Sequence, residues 1–192
     1  MQRERKYIDM IKLLVGVKGT GKTKTLIAAA NEALENSKGY VVCIEKGATL
    51  RHEISYKVRL VNTDNYLIEG GVALGGMVAG ILAGNGDVTD LFIDGTRKIF
   101  GYDKADMALF LADVEKFIAT LEKIIRDADV NVTITVSVDP SDLPENLKYI
   151  GSDAFAYWYG LTEIDLPDSI TQIGSYGFQN CRQLTAVTLP EK

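Results

Sequence analysis

The chain has 192 residues, which suits one ordinary domain and leaves a remainder too small for a typical second one. With 46% hydrophobic and 24% charged residues, wholesale disorder and collagen-like repeats are excluded, and a core can form without disulfides or metals. The net charge of −5 provides no basic surplus to hold a phosphate backbone, so no nucleic-acid partner is expected.

The N-terminal part alternates apolar runs of strand length with a helical pattern. Ile11 to Val15 is a short apolar run closed by Gly16, which predicts a strand followed by a glycine loop. A helical pattern starts at Lys22, and Lys24 to Glu35 is rich in strong helix formers. Two further strands are predicted at residues 40–44 and 57–61. The order of strand, glycine loop and helix is the first feature that bears on function.

Gly70 to Gly84 is the most apolar stretch of the chain. It falls short of the roughly 20 residues that cross a bilayer, so we predict a buried helix and no membrane span. Its glycines at positions 76, 80 and 84 recur at four-residue spacing, which allows a helix to approach a sheet closely. Asp9 and Lys12 interrupt the N-terminal sequence before an apolar run reaches secretory length, so we expect no signal peptide and a cytoplasmic location.

Strands continue to alternate with helices in the second half. Val88 to Asp94 predicts a strand, and Lys104 to Arg126 predicts a long, half-buried helix. Val130 to Val138 is dense in β-branched residues and predicts a strand that ends before Pro140. This alternation predicts an α/β fold with a mostly parallel sheet and helices on both faces. Ligands of such sheets bind at the carboxyl ends of the strands.

Residues 16–23, with the sequence GVKGTGKT, match the phosphate-binding loop (Walker A) pattern GxxxxGK[ST] at every fixed position. The glycines allow backbone N–H groups to turn inward around phosphates, next to the positive end of the following helix. Lys22 is expected to reach the β- and γ-phosphates, and the Thr23 hydroxyl to ligate Mg²⁺. The predicted nucleotide-binding residues are Gly16, Val17, Lys18, Gly19, Thr20, Gly21, Lys22 and Thr23.

A second element of such sites is an aspartate at the end of an apolar strand, which holds Mg²⁺ directly or through water. Asp94, at the end of Leu91 to Asp94, fits this description. We therefore predict Lys22 and Asp94 as catalytic residues, and Thr23 and Asp94 as metal ligands. Gly95 follows Asp94, so the adjacent glutamate that polarises water in many ATPases is missing, and fast hydrolysis is not expected.

Four other polar residues are weaker candidates. Glu45 and Asp139 lie at predicted strand ends on the edge where phosphates should bind. Either positions water or a substrate, or, as we favour, caps a neighbouring helix or turn. Arg51 and Arg97 are candidates to steady developing charge as arginine fingers do, although surface arginines are common.

The sequence changes character after Tyr149. Ile150 to Asp168 aligns with Ile173 to Glu191 at an offset of 23 residues. A period within roughly 20–29 residues, with leucines framing a short strand, is typical of a leucine-rich solenoid unit. The identical pairs are Ile150/Ile173, Gly151/Gly174, Ser152/Ser175, Phe155/Phe178, Leu161/Leu184, Thr162/Thr185, Leu166/Leu189 and Pro167/Pro190.

Both parts resemble known families. The phosphate-binding loop, VVCIEKG at 41–47, FIDG at 92–95 and TITVSVDPSDLPENLKYI at 133–150 resemble small bacterial P-loop proteins often labelled ATP-binding or twitching-motility-ATPase-like. That resemblance starts at Met10, so residues 1–9 are read either as an extension or as a misplaced start. The resemblance implies an ATP-binding α/β domain. Residues 150–192 resemble the BspA-type leucine-rich repeats of bacterial surface and adhesion proteins, which implies protein binding.

These observations predict a P-loop NTPase-like domain at residues 1–149 and two partial leucine-rich repeats at residues 150–192. The predicted function is ATP binding with Mg²⁺, as a slow ATPase or a nucleotide-dependent switch with a protein-interaction tail. In that mechanism, closure of residues 45–70 reports the γ-phosphate. GTP is less favoured, because no NKxD-type segment follows Asp94. The alternatives are phosphoryl transfer to a small molecule and a non-enzymatic interaction module whose P-loop is structural.

Overall fold

The structure is a computed structural model that describes residues 10–139, 149–150, 155, 161–166, 168 and 170–189. The expected extension at residues 1–9 lies outside them. Five strands form the main sheet: β1 (Ile11–Gly16), β2 (Tyr40–Glu45), β3 (Arg59–Asn62), β4 (Val88–Ile93) and β5 (Asn131–Ser137). Within the described residues, four α-helices accompany them: α1 (Lys22–Asn36), α2 (Gly70–Gly84), α3 (Thr96–Phe100) and α4 (Met107–Ile124). Three single 3₁₀ turns are Leu50–His52, Thr63–Tyr66 and Lys104–Asp106.

The main sheet has the strand order β1-β5-β4-β2-β3, and every neighbouring pair is parallel. The predicted parallel α/β architecture is therefore confirmed. Because parallel strands end at the same edge, the loops after β1, β4 and β5 lie side by side. Strand β5 separates the strand that leads into the glycine loop from the strand that leads into Asp94.

Helices cover both faces of the sheet, as predicted. In β2, Val41 and Cys43 point into the core under α1, whereas Val42 and Ile44 point into the core under α2, α3 and α4. This alternation follows from the two-residue period of a strand, and a strand buried on both faces needs an apolar residue at nearly every position. Cys43 is fully buried, and burial raises the pKa of its thiol well above the usual range. It is a core residue.

Helix α3 was not predicted from the sequence. It has five residues and lies between Gly95 (φ 71°) and Gly101 (φ 81°), both in the left-handed region. Packing supports it, because the ring of Phe100 lies edge-on to Phe110 and Phe117 of α4, with centroid distances of 5.9 and 5.6 Å. The predicted helix from Lys104 instead begins with a 3₁₀ turn, and α4 starts at Met107.

Helix α2 approaches its neighbours closely, but at glycines other than the predicted ones. A Cβ at Gly76, Gly80 or Gly84 would meet no atom within 4 Å, so these glycines do not serve a close contact, and that prediction is wrong. At Gly71 a Cβ would lie 3.1 Å from the Phe100 ring, and at Gly75 it would lie 3.4 Å from the Thr120 methyl group. The helix therefore packs closely on α3 and α4 through Gly71 and Gly75.

The length of α2, which is 15 residues, is relevant to the prediction that no segment spans a membrane. Throughout the described part of the chain, none of the helices combines the length and the apolar character needed to cross a bilayer.

The repeated sequence forms stacked strands. β6 (Tyr149–Ile150) pairs with β8 (Gln172–Ile173), and β7 (Glu163–Asp165) pairs with β9 (Ala186–Thr188), all parallel. Each register joins a residue to the one 23 positions later, which is the offset found in the sequence. The repeats therefore stack as consecutive solenoid coils.

A ring stack and a hydrogen bond join the two coils. The rings of Phe155 and Phe178 stack at 5.1 Å, and the Cys181 thiol donates a hydrogen bond to the Phe155 carbonyl at 2.9 Å. Buried side chains of the first coil are continuous with the core under α2 to α4. They are Phe155, Leu161, Ile164, Leu166 and Ile170.

Candidate functional site

The glycine loop turns sharply between β1 and α1. Gly19 (φ 95°) and Gly21 (φ 89°) adopt the left-handed region, and Gly21 is the residue immediately before α1. At Gly16 a Cβ would lie 2.8 Å from the Thr20 hydroxyl oxygen. Larger residues at these positions would strain or widen the loop. The two fixed glycines of the motif, Gly16 and Gly21, and the additional Gly19 are thus required by local geometry. The first free N–H groups of α1 lie at the edge of the sheet where strands end.

The Lys22 side chain folds back over this loop. Its ammonium donates hydrogen bonds to the carbonyl oxygens of Gly16 at 2.7 Å and Val17 at 2.8 Å. Burial lowers the pKa of Lys22 to about 8, the Asp94 carboxylate opposes this change, and the Arg97 charge adds to it. The side chain therefore keeps most of its charge at neutral pH, and the loop holds a cation at its centre.

Thr23 and Asp94 meet across the sheet edge, although 71 positions separate them in the sequence. The Thr23 hydroxyl lies 3.2 Å from both carboxylate oxygens of Asp94. Asp94 follows β4, and its backbone N–H donates to the Ile44 carbonyl at 2.9 Å, which fixes the start of the loop. A hydroxyl and a carboxylate are the hard oxygen ligands that Mg²⁺ takes alongside phosphate oxygens. The donor set at this point therefore fits Mg²⁺.

The structure adds Thr135, which sequence reasoning missed. Its hydroxyl donates to Asp94 Oδ1 at 2.8 Å and accepts from the Gly95 N–H at 2.8 Å. The Thr96 hydroxyl in turn donates to the Thr135 carbonyl at 2.7 Å in a buried position. Because β5 lies between β1 and β4, this one threonine orients the carboxylate and ties the following turn to the sheet.

A cleft of about 380 Å³ opens over these residues. Among the described residues, its lining contains five cationic side chains and one carboxylate. Such an excess of positive charge in a concave site favours a strongly anionic ligand. The charged lining residues are Lys18, Lys22, Lys24, Arg97, Lys98 and Asp94. The uncharged lining residues are Gly19, Gly21, Thr23, Gly95, Thr135 and Ser137.

Of the four weaker candidates, only Arg97 borders the cleft. Glu45 is 2% exposed, and its carboxylate accepts from the Thr49 N–H at 3.0 Å and from the Leu50 N–H at 3.2 Å. It therefore caps the 3₁₀ turn at Leu50–His52, the alternative that the sequence favoured. Arg51 is exposed on that turn, and Asp139 is exposed after β5.

Thr135→Val is expected to lower both the free energy of unfolding and the affinity for Mg-nucleotide. The change keeps the shape but leaves the Gly95 N–H without its acceptor, which costs about 1–3 kcal/mol. Urea unfolding and nucleotide titration of the same sample measure both effects. Thr135→Ser retains the hydroxyl and should stay within about 1 kcal/mol of the parent. A valine variant as stable as the serine variant would contradict this role.

Comparisons with known proteins inform the two parts of the chain separately. Residues 134–192 match the family model described as the BspA type leucine rich repeat region (6 copies). The C-terminal segment is a leucine-rich repeat segment. This match confirms the resemblance of the repeats, and it extends upstream of the predicted boundary, into β5. The boundary after Tyr149 stays a prediction.

The solved structures that are similar to this chain include the pCW3 conjugation coupling protein TcpA, in a monomer form with ATPγS. That match has a TM-score of 0.41 and 16% sequence identity. It covers 67% of this chain and 43% of that protein, so this chain spans less than half the length of that protein. No curated protein sequence matches this chain.

Proposed function

We propose that the protein binds ATP together with Mg²⁺ in the cationic cleft and acts as a slow ATPase or a nucleotide-dependent switch. The observation that supports this best is the meeting of Thr23 and Asp94 at 3.2 Å beside a complete phosphate-binding loop. The two residues come from distant parts of the sequence, and each is the residue type that the chemistry needs at its place.

The proposed roles follow from the atoms that face the cleft. Backbone N–H groups of Lys18 to Thr23 surround the phosphates, and Lys22 moves from the loop carbonyls to the β- and γ-phosphates. Thr23 and Asp94 would hold Mg²⁺, which when bound neutralises phosphate charge. Thr135 keeps the Asp94 carboxylate oriented toward Thr23. The proposed site therefore needs no residue outside the cleft.

Slow hydrolysis is proposed because Gly95 stands where many ATPases have the glutamate that polarises water. Among the described residues that line the cleft, the only carboxylate is Asp94, which is already assigned to the metal. Within this part of the chain, a water molecule that attacks the γ-phosphate would thus have no separate carboxylate to orient it. Phosphoryl transfer to a small molecule stays a less favoured alternative, since no acceptor site is evident.

We revise which segment is proposed to report the γ-phosphate. Residues 45–70 are all described, and none of them lines the cleft, so the expected closure of that region has no support from the site. The side of the cleft opposite the loop is formed by residues 94–98. We therefore assign the reporting role to this segment.

The repeat segment is proposed to bind a protein partner. The family match at residues 134–192 favours this, because leucine-rich solenoids present extended surfaces for binding. Two large exposed side chains of the second coil, Tyr176 and Leu189, are 68% and 58% accessible. If the loop were merely structural, the protein would be an interaction module, and its partner binding would be indifferent to nucleotide.

Thermal unfolding with Mg-ATP, Mg-GTP or Mg-ADP tests the proposed function, with phosphate release measured on the same sample. Mg-ATP at 100 times its dissociation constant should stabilise the protein by about 2.7 kcal/mol. This corresponds to about 5–10 °C in Tm for a chain of this size. Mg-GTP should give a smaller shift, and phosphate release should be slow. If no nucleotide shifts Tm, the nucleotide-binding proposal is wrong and the interaction module remains.

A further inference from the structure

Arg97 stands out among the cations of the cleft because of its surroundings. It lies in the first turn of α3 and is half-buried. Its guanidinium makes no hydrogen bond or ion pair with any group in the part of the chain that the structure describes. Among the described residues, its donors are therefore left for an anion that enters the cleft.

The position of Arg97 indicates which end of a bound anion it would contact. The glycine loop and α1 form one wall of the cleft, whereas Asp94 and Arg97 form the other. The charge of Arg97 also acts on the Lys22 ammonium, so the two cations share a neighbourhood. In a loop of this kind the lysine reaches the outer phosphates, and the loop backbone cradles the inner ones. Arg97 thus lies on the side of the outermost phosphate.

The backbone that carries Arg97 is firmly anchored. The Gly95 N–H and the Thr96 hydroxyl both bind Thr135, at 2.8 and 2.7 Å. Two and three residues further along, Ile99 and Phe100 are buried in the core under α2 to α4. Because the backbone is held, only the side-chain torsions of Arg97 have to be ordered when it contacts a phosphate. The entropic cost of that contact is therefore lower than it would be from a mobile loop.

We propose that Arg97 binds the γ-phosphate and lets the cleft distinguish a nucleoside triphosphate from a diphosphate. The inference rests on the proposed nucleotide binding. Arginine is suited to this role because its planar fork of donors matches phosphate oxygens and is always charged. The contact would also join the γ-phosphate to the aromatic cluster of Phe100, Phe110 and Phe117 through α3.

Isothermal titration with Mg-ATPγS and with Mg-ADP, on the full chain, tests this inference. The parent protein is expected to bind ATPγS more tightly than ADP. Arg97→Gln should weaken ATPγS binding by about 10–100-fold, the range of a charged hydrogen bond, and ADP binding by less than about threefold. The affinity of Arg97→Lys for ATPγS should lie between that of the parent and that of Arg97→Gln, because lysine keeps the charge but lacks the planar fork of donors.

Arg51→Gln is the matched control, since Arg51 is exposed and does not line the cleft. It should leave both affinities unchanged. Circular dichroism and Tm of each variant establish that it is folded. If a folded Arg97→Gln variant binds ATPγS like the parent, or loses ATPγS and ADP binding equally, this inference is overturned while the nucleotide site stands. If the parent binds neither nucleotide, the proposed function is overturned as well.

Discussion

Lys22→Ala is expected to remove nearly all of the stabilisation that Mg-ATP gives to the protein. The ammonium lies within 2.8 Å of two loop carbonyls, at the centre of the cleft where phosphate oxygens are proposed to bind. Losing its charged hydrogen bonds should weaken binding by about 100-fold, or about 2.7 kcal/mol. At an ATP concentration that stabilises the parent by about 2.7 kcal/mol, the variant should gain only about 0.4 kcal/mol.

Thermal unfolding of Lys22→Ala with and without Mg-ATP measures this loss as a change in the Tm shift. Lys123→Ala is the control, because Lys123 is exposed on α4 and lies outside the cleft lining. It should show the full shift of the parent. Each variant is compared with its own nucleotide-free form, so a change in basal stability does not enter the result. An undiminished shift in Lys22→Ala would rule out ATP binding at this loop.

Gly39→Ala is expected to destabilise the fold by about 3 kcal/mol, near the upper end for overpacking. A Cβ at Gly39 would lie 2.1 Å from the Asp87 carbonyl oxygen and 2.6 Å from the Thr89 methyl group. The nearer atom belongs to the backbone, and it accepts a hydrogen bond from the Tyr40 N–H at 2.7 Å. Relief of the clash therefore requires β2 to move away from the start of β4.

Urea unfolding of Gly39→Ala measures the loss, and Gly76→Ala is the matched control. Gly76 is exposed in α2, and a Cβ there meets nothing within 4 Å. Alanine at that site should stabilise the protein by up to about 1 kcal/mol, because it favours the helical backbone. Equal effects of the two substitutions would mean that the spacing between β2 and β4 is not as described.

Much of the fold was predictable because its signals are local. The run Ile11 to Val15, the glycine loop and the helix from Lys22 all appear where the sequence placed them. Strand β2 has an apolar residue at nearly every position, which the two cores on either side of the sheet require. The 23-residue offset also predicted the register of the stacked repeats, since equivalent positions in a solenoid lie side by side.

The features that could not be predicted from the sequence depend on contacts between residues that lie far apart along the chain. In the sequence, nothing local distinguishes Thr135 from Thr133 on the same strand. Thr135 is 41 positions from Asp94 in the sequence, and its role arises because β5 brings it within hydrogen-bond distance of that residue. Helix α3 is too short for a periodic pattern and is stabilised by the ring contacts of Phe100. Arg97 and Arg51 looked equivalent in sequence, and only the strand order brings Arg97 to the cleft.

The glycines of α2 are a second case in which the sequence pattern did not identify the contacts. Gly71 and Gly75 are four residues apart, as are Gly76 and Gly80. Spacing alone cannot choose between two faces of one helix, because both sets have the same period. The choice is made by Phe100 and Thr120, which approach the first pair closely.

Hydrogen exchange measured with and without Mg-ATPγS tests the central claim, that this cleft binds a nucleoside triphosphate, most directly. Slower exchange is expected in two separate segments, the loop and first turn of α1 at residues 16–24 and the opposite wall at residues 94–98. No change is expected in the stacked coils at residues 170–189, none of which lines the cleft. Unchanged exchange in residues 16–24 at saturating Mg-ATPγS, or protection confined to other parts of the chain, would contradict that claim.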